Sequence, residues 1–546
     1  MADETKYAAL NSNPEDRGVD GYDKGATSRI VTIAGIVVGY IFGCACLILG
    51  VLCRLQLLPA SLGVSAEGNV LLDITVPFLR EAVLFFVNVV LVKFTVGAAG
   101  SAHETALKWK LASENDIQTG EIRLEFNSNL RFLKSSYERW SANGLVANTV
   151  MAITLAVSYA SSSMLLLNVA DSQSDSSGVR HNSVLSSVAL IILGAVVLIQ
   201  VTISTFALCT TAIPTWSKSP LDTAAALVAS GRLVRRPGRC MHSLYDKYIR
   251  TQPLKPRVRQ VCAWRSHPQF RRFTMYIWML IAAGYYWCFI IAGMVMSRTK
   301  GSTASAMQFQ WTGEAPVAGV LWGMGILLGF QGGIVTTGVT AAQMLVGLSR
   351  DEYLWKALDV REDPTAPSAS LRKRWVAKIR QTALFKMFFL NWQTVVIHLA
   401  EPILHWLFGL AIDVDAVAGF QVRPLPILYI TVVATLGVIL ITLVGHYTPA
   451  HTIPSTYGHL QTIADLVDDW HFPTMYWGHK WPATGQSGMT IAHAGTSDAP
   501  LPEVDTSRPY GGVCCRNPWW TERVSPMHLV CNEYLQRLSA SDVLEA

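Results

Sequence analysis

Five polar residues in one apolar stretch carry the most organised chemistry in this sequence: Asn391, Thr394, His398, Glu401 and His405. Their spacings of 3, 4, 3 and 4 place them on one stripe of a helix that turns about 100° per residue. An ionisable side chain inside an apolar helix is costly to bury in lipid, so such a stripe belongs against the interior of a helical bundle. Two histidines flanking a glutamate suit proton relay, because imidazole titrates near neutral pH. The same imidazole and carboxylate set suits zinc or iron as part of a metal site. A third reading is a buried polar seam that hydrogen-bonds this helix to its neighbours. Pro402 follows Glu401 and frees backbone carbonyls for a polar ligand. No HExxH pattern accompanies the stripe, which argues against a zinc protease.

Secondary candidates are Glu81 and Asn88, seven residues apart and therefore on one helical face of another apolar run. The stretch 316–348 is rich in glycine. Gly319/Gly323, Gly325/Gly329 and Gly329/Gly333 repeat the small-xxx-small spacing that lets helix backbones approach closely, within one chain or between copies in an oligomer. Seven of the 13 histidines lie beyond residue 445, without a tight metal-ligand spacing. In that tail, 455–470 reads as an amphipathic helix, with Leu460, Ile463, Leu466 and Val467 inward and Asp465, Asp468 and Asp469 outward.

The elements that must position these residues are long apolar runs. Eight are long enough to cross a bilayer, at 30–53, 76–96, 144–167, 184–209, 273–296, 316–348, 387–412 and 427–445. The run 76–96 is the weakest, since Arg80, Glu81, Asn88 and Lys93 interrupt it. The fold class expected is an all-α polytopic membrane bundle of about eight transmembrane helices. Lys and Arg set its orientation. Loops 100–143, 215–272 and 349–386 carry 28 basic residues, whereas 54–77, 168–183, 297–315 and 413–425 carry five. That asymmetry places both termini in the cytosol. The expected organisation is a polar tail 1–29, spans within 30–214, a basic loop 215–272, spans within 273–447, and a tail 448–546.

Composition agrees: 51% of the 546 residues are hydrophobic and 15% charged, with a mean hydropathy of +0.31. An average soluble domain is about 25% charged. The acidic first 29 residues make a poor start for a cleavable signal peptide. Ten cysteines fall in the apolar runs or in the expected cytosolic segments, a pattern for free thiols rather than a disulfide framework. No GxxxxGK[ST] loop occurs, which argues against a self-contained ATP-driven pump. The basic loop, with Trp216, Tyr245, Tyr248 and Trp264, serves topology and suits anionic lipid head groups.

Several strings go together: His103-Glu-Thr-Ala-Leu-Lys-Trp109, Leu124-Glu-Phe-Asn-Ser-Asn-Leu-Arg131, Phe388-Phe-Leu-Asn-Trp-Gln393, Tyr457-Gly-His-Leu-Gln-Thr-Ile-Ala-Asp-Leu466 and Met475-Tyr-Trp-Gly-His-Lys480. As a set, over about residues 76–512, the chain resembles a family of multi-pass membrane proteins of filamentous fungi that has no established activity. The resemblance implies a multi-pass membrane fold and transfers no site residue. The leading expectation is a non-enzymatic membrane protein that moves or senses a small solute, accessory to a fungal metabolic pathway, with the stripe lining the path. Its partners are the bilayer and a small-molecule cargo; no cofactor, bound metal or nucleic acid is expected. Two other classes stay open. One is a membrane-embedded enzyme with a His/Glu metal centre, for which His446 and Glu81 are the further candidate ligands. The other is a scaffold whose polar segments recruit partners.

Overall fold

The computed structural model describes residues 22–57, 69–72, 77–87, 92–117, 120–127, 134–169, 182–236, 238–247, 253–298 and 307–309. It further describes 392–415, 419–448, 452–468, 475–484, 490–497, 501–511, and single positions between 325 and 345 and at 450, 470 and 499. Five helices there are long and apolar enough to cross a membrane: α1 (Ala26–Arg54), α4 (Leu145–Ser163), α5 (Ser187–Thr210), α8 (Pro268–Arg298) and α10 (Pro424–His446). They correspond to the apolar runs beginning at 30, 144, 184, 273 and 427. Between them lie α2 (Pro77–Phe85), α3 (Lys93–Ser113), α6 (Pro220–Ala229), the short α7 (Ala263–Ser266) and α9 (Trp392–Ala411). Helix α9 carries the stripe. The tail contributes α11 (Leu460–Leu466).

The weak run 76–96 is wound as α2 and, after 88–91, which lie outside the described residues, as α3. Helix α3 continues to Ser113, well into the segment expected as the loop 100–143. Small side chains explain the extension. Ala99, Ala102 and Ala106 are fully buried against α1 and α5, so the helix is held by packing after its apolar run has ended.

The fold is not purely α. Six strands of three or four residues form one sheet in the order β1 (Val70–Leu72), β3 (Asn182–Leu185), β2 (Leu166–Val169), β5 (Ile412–Asp415), β6 (Gly419–Val422), β4 (Met307–Phe309). Every pairing is antiparallel except β2 with β5, which meet in parallel at Asn168 and Asp415. The sequence hides β2, β3 and β5 at the edges of its apolar runs, where Leu166 and Leu167 end one run, Val184 begins the next and Ile412 closes another, and β1, β4 and β6 fall in the loops between runs. Segments this short show no readable alternation of their own.

The sheet joins the four loops that are poor in Lys and Arg. At the other end of the helices a second core gathers Tyr22, Leu107, Leu124, Leu221, Leu460 and Tyr510, with neighbours from the same segments. Residues 22–25 and the described residues of the tail between 452 and 511 therefore lie at the same end. Trp216 N–H donates to Lys24 O at 2.9 Å, and Leu460 N–H to Glu125 O at 2.9 Å. In this polar module β7 (Tyr476–Thr484) and β8 (Thr490–Ser497) form a two-stranded antiparallel sheet.

Helices α1, α3, α4 and α5 pack as one group, and α8, α9 and α10 as another. Glycine sets the closest approach. A Cβ on Gly194 of α5 would lie 2.6 Å from Leu47 N and 2.7 Å from Gly43 O, and one on Gly50 would lie 2.9 Å from Ile191 N. Gly35, Gly39 and Gly43 repeat at four-residue spacing on α1, a signal of the same kind as that of 316–348. Of that stretch, Gly319, Gly323, Gly329, Gly332 and Gly333 lie outside the described residues, and a Cβ on Gly325 would meet nothing within 4 Å. Gly194→Ala is accordingly expected to lower the thermal unfolding midpoint in detergent, at a cost on the order of 1–3 kcal/mol, because the methyl meets backbone that has nowhere to move. Gly437→Ala, where the added atom meets nothing within 4 Å, is the control and should cost nothing. Equal midpoints for the two variants would sink this account of the α1–α5 contact.

Candidate functional site

Helix α9 spans Trp392 to Ala411, so Thr394, His398, Glu401 and His405 all lie on one continuous helix. Asn391 lies outside the described residues, as do the side chains of Thr394, His398 and Glu401. His405 is described, and it is turned into the bundle with 2% of its surface exposed. Its imidazole lies face to face with the Tyr159 ring of α4, with centroids 3.8 Å apart and planes inclined by 8°. The neighbouring indole of Trp406 meets Phe85 of α2 edge-on at 5.9 Å. The stripe's one described side chain therefore faces α4, the third apolar run. Tyr159 carries no sequence signal of its own.

Glu81 is in α2, with its side chain outside the described set, and Asn88 is outside it entirely. His446, the other candidate ligand for a metal centre, stands at the wrong end of the molecule. It closes α10, ~33 Å along the axis from Pro424 and the sheet end, whereas His405 is seven residues from the strand β5. His446 hydrogen-bonds Thr442 O at 2.9 Å and lies tilted against the Trp264 ring, with centroids 4.5 Å apart. Among the described residues no group of three or more His, Cys, Asp or Glu side chains is placed to hold a metal ion.

The polar module contains the strongest electrostatics. Asp465, expected on the outer face of the tail helix, is 2% exposed. It accepts from the Arg236 guanidinium at 2.8 and 3.1 Å, from the Arg236 backbone N–H at 2.9 Å and from Gln461 at 2.9 Å, with Arg239 Nε 3.6 Å away. Asp246 is 1% exposed; Arg257 donates to it at 2.8 Å, and Ser243 caps the adjoining turn through it. Asp468 accepts from Lys480 at 2.7 Å, from His493 at 3.2 Å and from the Thr496 hydroxyl at 2.9 Å. Burial pushes its carboxyl upward, but the His493 hydrogen bond and the nearby Arg235 and Lys480 outweigh that and hold it well below the usual carboxylate range. Arg236, Arg239 and Arg257 of the basic loop thus clamp two buried carboxylates, one of them in the tail. Amphipathic periodicity missed this because it assigns aspartates to water, and only the loop's return brings the arginines to them.

Two histidines are buried beside this network. His267 Nδ1 accepts from Phe270 N–H at 3.3 Å, and Phe126 is packed between the rings of His267 and His459 at 4.4 and 5.1 Å. Desolvation lowers the His267 pKa to about 4 and puts that of His459 well below the ordinary value, with Lys247 adding repulsion in both cases.

A cavity of about 340 Å³ opens among α8, α9, α10 and the side chains of Val335, Val339, Ala342 and Leu345. Its lining is almost wholly apolar. Comparison with protein families, with curated proteins and with solved structures gives no match. The functional reading must therefore come from the chain's own geometry.

Proposed function

We propose that this chain is a multi-pass membrane protein of about eight spans, with both termini in the cytosol, that carries or senses a small solute along the α9 stripe. The observation that carries this reading is His405, an ionisable side chain buried inside the bundle and stacked on Tyr159 rather than facing lipid. The orientation rests on the 28-to-five asymmetry of basic residues, and the sharing of one end by residues 22–25 and the described residues between 452 and 511 agrees with it. The metal-enzyme alternative loses support, because His446 lies at the opposite end of its helix.

The test replaces His398, Glu401 and His405 singly by Gln and by Ala. Protein level, bound metal and rescue of a deletion strain are then measured. For His405→Gln the expected result is normal abundance with function reduced at least about tenfold, equivalent to roughly 1.4 kcal/mol. Loss of a co-purifying metal would transfer the argument to an enzyme. Full rescue by all three Gln variants would reduce the stripe to a structural seam.

A further inference from the structure

We propose that the cavity among α8, α9 and α10 is a binding site for one long hydrocarbon chain, entered sideways from the bilayer. At about 340 Å³ it falls at the lower end of the range of small-molecule pockets, about 300–1,000 Å³, and far above the voids tolerated in a close-packed interior. Its walls include Ile281 and Trp287 from α8, Leu404 and Phe408 from α9, and Val438 from α10. The hydroxyl of Thr431 also borders the space, but it donates to Ile427 O at 2.8 Å. A buried water needs two to four polar partners, and the described lining residues do not supply them. A small polar solute meets the same obstacle, since its hydrogen bonds to water would be lost without replacement.

The mouth decides the source. Val433 and Leu440 of α10 line the cavity and are also 44% and 43% exposed, on a helix apolar enough to span a membrane. These two residues reach from the cavity lining to the helix's exposed apolar face, which places the proposed entry there, where hydrocarbon would enter without crossing water. Gly437 lies between these two residues, and a Cβ there would meet nothing within 4 Å. A bulky residue at 437 would project into space that the ligand is proposed to occupy.

This site is separate from the His405 reading and does not rest on it. The test uses the full chain in phosphatidylcholine nanodiscs with two photoreactive probes: a free long-chain fatty acid and a phosphatidylcholine, each with a diazirine at mid-chain. After illumination, adducts are mapped by mass spectrometry. The expected result is labelling in α8 and α10 by at least one probe, reduced at least about tenfold in Gly437→Phe, as when a side chain fills a ligand's space. Gly437→Leu, checked for unchanged circular dichroism, gives the same answer should the larger residue impair folding. Labelling by the fatty acid identifies a free amphiphile, and labelling by phosphatidylcholine alone identifies a bilayer lipid; either supports the site. His405→Gln should label like the unaltered chain, so this site and the stripe fail independently. No adducts in α8 and α10, or adducts insensitive to Gly437→Leu, would overturn the proposal.

Discussion

Asp465→Ala is expected to destabilise the polar module by about 3–5 kcal/mol, the cost of removing one partner from a buried ion pair. Arg236 keeps 32% of its side chain exposed and can turn to water, but Arg239 is only 8% exposed and cannot. Arg239 still donates to Asp246 O at 2.9 Å, so it would stay buried with its charge uncompensated. The docking of the tail on the basic loop should fail first, since Arg236 and Arg239 come from one and Asp465 from the other. Hydrogen exchange of amides in 460–467, measured on the full chain in detergent, reads this directly. The comparison is Arg508→Ala, whose partner pair with Asp505 is 63% and 41% exposed. That exposed pair is screened by water, and its loss should leave exchange in 460–467 unchanged. Slow exchange retained in 460–467 of Asp465→Ala would show that apolar packing of α11 holds the module alone.

The second large effect is acid lability. His267 has a folded-state pKa near 4, against 6.5 for the free side chain, and that of His459 is also well below 6.5. Both are depressed, so the neutral form belongs to the fold and the unfolded chain takes up protons first. The unfolded state binds more protons between pH 6.5 and about 4, so stability is full above this window and falls on acidification through it. His267 contributes a slope of about 1.4 kcal/mol per pH unit there, about 3 kcal/mol in all, and His459 adds to it in the same direction. Asp468 acts in the same direction but over a lower pH range. Its depressed carboxyl contributes stability above the ordinary carboxylate range, which is lost only at still lower pH. The unfolding midpoint of the module should therefore drop between pH 7.5 and 5, and His267→Phe should flatten that drop. A midpoint that does not move over this interval would contradict the buried, neutral state of both rings.

Much of the architecture is legible from hydrophobicity because lipid-compatible helices need long runs and nothing else. The helices α1, α4, α5, α8 and α10 start within five residues of their apolar runs. The sheet was not legible. Val70–Leu72 and Met307–Phe309 are three residues long and gain meaning only from partners more than a hundred positions away, Asn182–Leu185 and Gly419–Val422. The stripe was legible as a pattern, since a period of 3.6 is local, but its partner Tyr159 is 246 positions from His405. Asp465 was read backwards for the same reason. A charged residue on an amphipathic helix faces water unless a distant arginine covers it, and Arg236 is 229 positions away.

By itself, then, the sequence determined that this chain has helices long and apolar enough to span a membrane, where their apolar runs fall, and which single helix carries ionisable residues in register. These are properties of neighbouring residues and of transfer from water to hydrocarbon. Only the tertiary structure decided that His405 stacks on α4, that the basic loop clamps Asp465 of the tail, and that α8, α9 and α10 leave an apolar cavity between them. Each of these is a contact between segments far apart in the chain, fixed by packing and charge pairing that no local window contains.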